Sequence, residues 1–439
     1  MQLRNYQIAG IKKIEAAIAS GKRRVLSVAP TGAGKGAMAC ALLARYAAAG
    51  KRVMFAVHRR EIALKVHDEE LSGFTDVEPG AILPGRRRRL ASLIQVASTQ
   101  SLLAGKAWPS VDLLILDEAH HYVADEWKRL AEMFPDAVIV GFTATPQRSD
   151  GRPLREVFDE LIVVATYSEL LKAGHIVPCR VLRPDRNLGM DLAQHPVTAY
   201  ERYCNGKAAL VYVLRVEDAE LLGAEFSEAG HVTAVVSEKT PKAERDDIMA
   251  RYRDGSITVL VNVYTLTEGV DLPRAEAIIL ARRCESEMTY LQICGRGLRT
   301  YQQKPHCTLI DLVGAYWSHG LPTEDRHYSL DGRAKQEREA KAPEHAPPRE
   351  PNVLGVDLYT EDGEPVRGSS GPDPKREYWQ RLMADIESDK MTVDGAQVMY
   401  RKRFGENSPW AARVPRRFAL RDARNAAMEY ATDSALMDL

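Results

Sequence analysis

Ala29-Pro30-Thr31-Gly32-Ala33-Gly34-Lys35-Gly36 is the stretch whose reading decides the fold. Arg23-Arg24-Val25-Leu26-Ser27-Val28 precedes it and reads as a short buried strand, and residues 37–44, Ala-Met-Ala-Cys-Ala-Leu-Leu-Ala, follow as a helix. Strand, glycine loop, lysine and helix in that order give a phosphate-loop pattern its mechanism. The glycines let backbone N–H groups turn inward around phosphate oxygens, and the helix N-terminus adds a favourable dipole. Lys35 is placed to reach β- and γ-phosphates as a point charge. One position departs from the pattern. Such a loop ends in Ser or Thr, whose hydroxyl helps to hold Mg²⁺, and this chain has Gly36. The expectation is that a water fills the place, since Mg²⁺ readily keeps several waters. Nucleotide binding then survives on Lys35 and the loop N–H groups, while Mg²⁺ dependence weakens and turnover is slow.

Upstream, Leu3-Arg4-Asn5-Tyr6-Gln7 opens a helix with Ile8, Ile11, Ile14 and Ile18 at helical spacing. Gln7 carries both a donor and an acceptor, as an adenine edge requires; a solvated helix start has the same appearance. Downstream, the strand Val53–Val57 ends in His58-Arg59-Arg60-Glu61, and residues 93–98 lead to Thr99-Gln100-Ser101. Between them, Arg86-Arg87-Arg88-Arg89 reads as a solvated loop or as a surface that meets nucleic-acid phosphates. An apolar strand at 112–116 delivers Asp117-Glu118-Ala119-His120 at its carboxyl end, where an open parallel sheet places its chemistry. Asp117 is suited to hold Mg²⁺ through water and Glu118 to orient or deprotonate an attacking water. The next strand, 137–142, ends in Thr143-Ala144-Thr145-Pro146, whose hydroxyls are suited to sense phosphate state.

Residues 150–205 look irregular and are expected to wrap from one domain to the next. A second alternation of strands and helices follows. Apolar runs at 208–214, 232–236 and 258–261 lead to Asn262-Val263-Tyr264-Thr265-Leu266-Thr267-Glu268-Gly269-Val270-Asp271. After a strand at 277–281, a helix at 287–294 runs into Gly295-Arg296-Gly297-Leu298-Arg299. The spacing puts the Arg296 and Arg299 guanidiniums on one side of a helix start. This second half has no phosphate loop of its own, so the pair suggests arginine fingers reaching across a cleft. A strand at 307–312 is expected to close the second sheet.

The chain has 439 residues, 60 basic against 60 acidic, so net charge alone does not announce a nucleic-acid binder. Six cysteines are scattered without a C-x-x-C pair, which indicates neither a zinc knuckle nor a disulfide framework. No secretory signal and no membrane span are apparent, so a cytoplasmic compartment is expected. Residues 400–424 carry eight basic side chains, Arg401, Arg416 and Arg417 among them, against two acids, with Tyr400, Phe404, Trp410 and Phe418 interleaved. This reads as an accessory DNA contact, or as the small core of a tail with solvated arginines that serves a protein partner.

Taken in order, these motifs resemble those of the DEAD/DEAH-like superfamily 2 helicases over about residues 1–330. Residues 29–36 resemble motif I, 58–61 motif Ia, and 98–101 the DNA-contact motif that follows it. Residues 117–120 resemble the DEAH form of motif II, 143–146 motif III, 262–273 motif V and 292–299 motif VI. Residues 309–331 are similar to RadD-like bacterial and phage DNA-repair helicases. The resemblance implies α/β architecture with two RecA-like parallel-sheet lobes in tandem, ATP and Mg²⁺ in the cleft, and DNA across the top of both. It implies that Lys35, Asp117, Glu118, Gln292, Arg296 and Arg299 serve hydrolysis, with Asp117 also facing Mg²⁺. Arg4, Gln7, Thr31, Gly32, Ala33, Gly34, Gly36, Gly269 and Asp271 would contact nucleotide, and Arg59, Thr99 and Gln100 nucleic acid.

The organisation expected is a first lobe over 1–165, a connecting segment and second lobe over 166–320, an extension and flexible linker over 321–375, and a small, mainly helical basic element over 376–439. A monomer that translocates on single-stranded, forked or branched DNA is the leading reading. The alternative is a nucleotide-gated DNA clamp that hydrolyses weakly because of Gly36. No convincing nuclease motif supports a restriction-type subunit.

Overall fold

The structure is a computed structural model and describes residues 2–105, 108–122, 124–146, 153–189, 191–263, 271–331 and 353–364, with 366, 382, 383, 386, 392 and 393. The first part of the chain runs α1 (Asn5–Ala19), β1 (Arg24–Val28), α2 (Lys35–Ala48), β2 (Val53–Val57), α3 (Arg60–Lys65), β3 (Gly80–Ile82), β4 (Ile94–Ser98), α4 (Thr99–Ala104), β5 (Leu113–Leu116), α5 (Ala124–Met133), β6 (Val138–Thr143) and β7 (Glu160–Val163). Its seven strands form one parallel sheet in the order β3-β4-β2-β5-β6-β1-β7. Helices cover both faces, so the strands are near-continuous apolar runs without polar alternation. Val25, Phe55 and Ile115 face the α1–α2 side, while Leu26, Met54 and Leu114 face a second core closed by Trp127 and Phe158.

The chain continues as α6 (Tyr167–Lys172), β8 (Cys179–Leu182), α7 (Pro196–Tyr203), β9 (Ala209–Val213), α8 (Val216–Glu228), β10 (Thr233–Val236), α9 (Lys242–Asp254), β11 (Val259–Val263), β12 (Ala277–Leu280), α10 (Glu287–Gly297), β13 (Cys307–Asp311) and α11 (Tyr316–His319). Its six strands make a second parallel sheet, β10-β11-β9-β12-β13-β8. Two parallel α/β sheets in tandem are thus the architecture expected from the sequence.

Three local expectations differ. β13 does not close the second sheet; β8 pairs outside it and forms the edge. Residues 150–205 are less irregular than expected, for β7 completes the first sheet and β8 the second. Each is four residues long, too short for periodicity to separate it from a loop. Parts of 321–364 are laid on the folded body, and nearly all of the expected linker at 363–374 lies outside the described residues. The Arg155 N–H donates to the Leu330 carbonyl at 2.9 Å, and Leu330 is buried against the outer core of the first sheet. Residues 353–364 line β8 and its continuation: Arg183 and Tyr359 exchange backbone hydrogen bonds of 2.9 and 2.7 Å, and Val356 N–H donates to Ala193 at 2.9 Å. The tail with Arg401, Arg416 and Arg417 lies outside the described residues.

The chain therefore passes between the sheets at 164–178 and again at 320–331. Asp325 on the return accepts from the Ser168 N–H at 2.9 Å at the start of α6, so the two crossings are joined to each other. All six cysteines are buried and free, and among the described residues no helix is long and apolar enough to cross a membrane.

Candidate nucleotide site between the two sheets

The sheet order brings three loops together, because β5, β6 and β1 are neighbours and all run the same way. The phosphate loop follows β1, Asp117 follows β5, and Thr143 ends β6. A crevice at the carboxyl ends of strands, where the order reverses, is where such sheets bind ligands. Within the loop, Gly32 and Gly34 have φ of 89° and 75°, the left-handed region in which a side chain is strained. Gly34 is the N-cap of α2, so the free N–H groups of that helix open onto the loop. Lys35 Nζ lies 3.4 Å from the Ala29 carbonyl, folded back over the loop.

Two residues upstream brace this turn. The Tyr6 hydroxyl donates to the Ala33 carbonyl at 2.7 Å, and Gln7 Nε2 donates to the same oxygen at 3.0 Å and to Gly34 O at 3.4 Å. Gln7 Oε1 accepts from the Arg4 N–H at 2.8 Å. The Gln7 amide is thus engaged at both ends by the loop and its own helix, and its oxygen keeps a second lone pair beyond the Arg4 bond.

Asp117 is buried, and its carboxyl is pushed up to about 7, first by burial and then by the neighbouring Glu118 charge, against a lowering by Lys35. A buried carboxylate beside another carboxylate is a place that gains from a cation. Glu118 has φ of 47°, a strained conformation for a non-glycine residue and one that clusters at functional sites. His120 Nδ1 is 2.8 Å from the Thr143 hydroxyl, which donates to Thr145 O at 2.8 Å. With that proton committed to Thr145, the ring donates from Nδ1. The Asp-Glu-Ala-His segment is therefore tied to Thr143-Ala144-Thr145 by a buried hydrogen-bond chain.

The second sheet closes the site from the other side. A Cβ on Gly295 of α10 would lie 2.6 Å from Cβ and Cγ2 of Thr31, and a Cβ on Gly32 would lie 3.6 Å from Cγ of Arg299. Arg299 is ion-paired with Asp271. The expected helix start is corrected here: Arg296 stands in the last turn of α10 and Arg299 beyond its C-cap, Leu298. The reason is that α10 continues through Gly295 to Gly297, where the glycines admit close neighbours, Thr31 and the Cys307 thiol. Arg296 and Gln292 are buried in α10. Gly269 lies outside the described residues.

Of the nucleic-acid residues, Gln100 is exposed and Arg59 half-buried. Thr99 is corrected: its side chain is fully buried, and its hydroxyl meets the Tyr122 hydroxyl at 3.0 Å, which fixes α4 and leaves no hydroxyl for a nucleic acid. Sequence reasoning missed Glu70. Its Oε2 would lie 3.0 Å from a Cβ on Gly36, while its Oε1 is paired with Lys65 Nζ at 2.9 Å.

The donors present suit a magnesium nucleotide. Among the described residues no cluster of three or more acidic, His or Cys side chains could hold a metal by itself. An ion held here would take one or two carboxylates, with phosphates and waters completing its shell.

With two parallel sheets, a phosphate loop and a facing helix end, the chain belongs to the DEAD/DEAH-like superfamily 2 helicases, a class of ATP-hydrolysing enzymes. Residues 1–148 match the family "Type III restriction enzyme, res subunit", and 196–301 match "Helicase conserved C-terminal domain". A "51.5 kDa protein" of Lactococcus phage (isolate 7-9) is 31% identical over 325 residues, 68% of this chain and 67% of the relative. A Saccharomyces cerevisiae protein provisionally named ATP-dependent helicase IRC3 is 26% identical over 71% of this chain, which spans about half (52%) of that relative's length. Among solved structures, a fragment provisionally assigned as an HsdR subunit of a type I restriction enzyme from Vibrio vulnificus YJ016 superposes with a TM-score of 0.61. It is 22% identical and covers 83% of this chain and 70% of its own, a likeness of fold.

Proposed function

We propose that this protein is an ATP-dependent DNA translocase or helicase in which closure of the two sheets around ATP·Mg²⁺ is coupled to movement along a strand. The observation that carries the reading is the seating of the α10 end on the phosphate loop, with Gly295 on Thr31 and Arg299 beside Gly32. In this reading the loop N–H groups and Lys35 bind the phosphates, and Asp117 faces the metal. Glu118 orients the attacking water and takes its proton. Arg299, with Arg296 beside it, meets charge developing on the transferred phosphoryl group. When bound, Mg²⁺ would neutralise phosphate charge and fix the triphosphate's orientation. The Arg299–Asp271 pair supports a switch, because Arg299 can exchange a carboxylate partner for phosphate oxygens.

The chain from His120 through Thr143 to Thr145 supports a relay from the carboxylates to the neighbouring loop. DNA is the proposed substrate: one relative bears the name DNA 3'-5' translocase, and a DNA-bound restriction-modification enzyme shares the fold. Gly36 favours the second reading, a DNA clamp gated by nucleotide with weak hydrolysis. Steady-state ATP hydrolysis without nucleic acid and with single-stranded, duplex or forked DNA, measured alongside binding of the same DNAs with and without ATP, separates them. A motor is stimulated by at least one DNA; a clamp binds DNA in an ATP-dependent way with no gain in turnover. No effect of any DNA on either quantity would refute both.

A further inference from the structure

The loop residue that should carry a hydroxyl is Gly36, and a side chain there would press on a carboxylate. A Cβ on Gly36 would lie 3.0 Å from Glu70 Oε2 and 3.9 Å from its Cδ. Glu70 reaches this place through an irregularity in the backbone. After α3 the chain makes one wide turn over Val66–Glu70, in which the Leu71 N–H donates to the Val66 carbonyl five residues back. Such wide turns are rare and concentrate at functional sites, because they rotate the following side chains off the regular helical face. The carboxylate is also oriented. Lys65 Nζ holds Oε1 at 2.9 Å, so the other oxygen is the one directed at Gly36. Glu70 is near enough to Asp117 for its charge to help raise that carboxyl.

We infer that Glu70 supplies the metal-facing oxygen that the phosphate loop lacks, with Lys65 as its positioning residue. This rests on the nucleotide-site reading above. A glycine at 36 and a glutamate at 70 then form one device: a side chain at 36 would push the carboxylate back by a few tenths of an ångström, and the carboxylate uses the glycine's open space. The replacement alters the electrostatics. A hydroxyl is neutral, whereas Glu70 adds a negative charge beside Asp117, Glu118 and the incoming phosphates. Nucleotide without metal is therefore repelled, and nucleotide with metal is held by one more charged oxygen. Mg²⁺ dependence becomes steeper than a hydroxyl would make it, the reverse of what the bare glycine suggests.

The test is equilibrium binding of a slowly hydrolysed fluorescent ATP analogue, in Mg²⁺ and in EDTA, to the full chain and to Glu70→Gln, Glu70→Ala, Gly36→Thr and Gly36→Thr/Glu70→Ala. The readout is the ratio of the two affinities, with Mn²⁺ binding to the nucleotide complex followed by electron paramagnetic resonance as a second measure. Glu70→Gln keeps the shape of the side chain. It should lower the ratio about 10- to 100-fold, the usual cost of removing a group that tunes a metal site, by tightening metal-free binding and weakening metal-dependent binding. The double variant should recover part of that loss, because the new hydroxyl replaces the carboxylate. Nucleotide binding with an unchanged ratio and Mn²⁺ affinity in Glu70→Gln would overturn the assignment alone. Failure of the unmodified protein to bind nucleotide in either buffer would overturn the nucleotide site and this inference with it.

Discussion

Replacing Gly295 with Ala places a wedge between the two halves of the site. Gly295 is inside α10, where alanine is favoured over glycine by about 1 kcal/mol. Local propensity therefore argues for the substitution, and only the close approach of Thr31 argues against it. The new methyl would stand 2.6 Å from Cβ and Cγ2 of Thr31, and ordinary contact begins at 3.4 Å, so the helix and loop must separate by about 0.8 Å. A displacement near 1 Å of groups that must converge on a reacting atom costs about 10²-fold in rate. Turnover of Gly295→Ala should fall by about that factor. Nucleotide affinity should change little, because the loop and Lys35 belong to the first sheet. Thermal melting should stay level or rise. Hydrolysis under DNA stimulation, equilibrium nucleotide binding and a melting curve check the three parts together. Thr31→Gly removes both clashing atoms, so the double variant should turn over faster than the product of the single effects predicts. Wild-type turnover in Gly295→Ala, with a higher melting temperature, would show that the helix and loop need not touch during the cycle and would refute the reasoning.

Arg299→Ala should reduce hydrolysis about 10³-fold or more while nucleotide still binds; a variant that hydrolyses normally removes Arg299 from the reaction. Asp311 is a stability test: its buried carboxylate accepts from the N–H groups of Val313, Gly314 and Tyr316 at 3.3, 2.9 and 2.8 Å. Asp311→Ala strands these donors and should cost about 3 kcal/mol or more in denaturant unfolding, with Asp311→Asn milder; equal unfolding midpoints for both variants and the parent would contradict that. Deleting 376–439 should flatten the salt dependence of DNA binding if its arginines meet phosphates, and an unchanged slope assigns the tail to folding or to a protein partner.

Much of this molecule can be read from its residues. The apolar run bounds β2 to the residue, and the strands that carry Asp117 and the phosphate loop stand in one sheet with β6 between them. These succeed because buried parallel strands are apolar runs and because catalytic loops follow strand ends. What escaped reading had no local signature. Glu70 follows Asp68-Glu69, an acidic run that looks like any solvated helix face, and the wide turn that redirects it leaves no pattern in the sequence. Thr99 looks available in a polar trio, yet Tyr122, from a distant loop, takes its hydroxyl. The spacing of Arg296 and Arg299 suits a helix start, whereas Gly295 and Gly297 lie inside α10 against close neighbours, which carries the helix past Arg296.

The double passage of the chain between the sheets limits how they can move. The crossing at 164–178 and the return at 320–331 are the two covalent pins between the sheets, and Asp325 and Ser168 tie them to each other. The first pin is also built into the site: His175 packs on the Tyr6 ring, with 5.1 Å between ring centres, Ile176 is bridged to Arg299, and the Val177 N–H donates to Leu298 at 2.9 Å. Lifting the α10 end off the phosphate loop would therefore have to part these contacts or carry the first crossing with it.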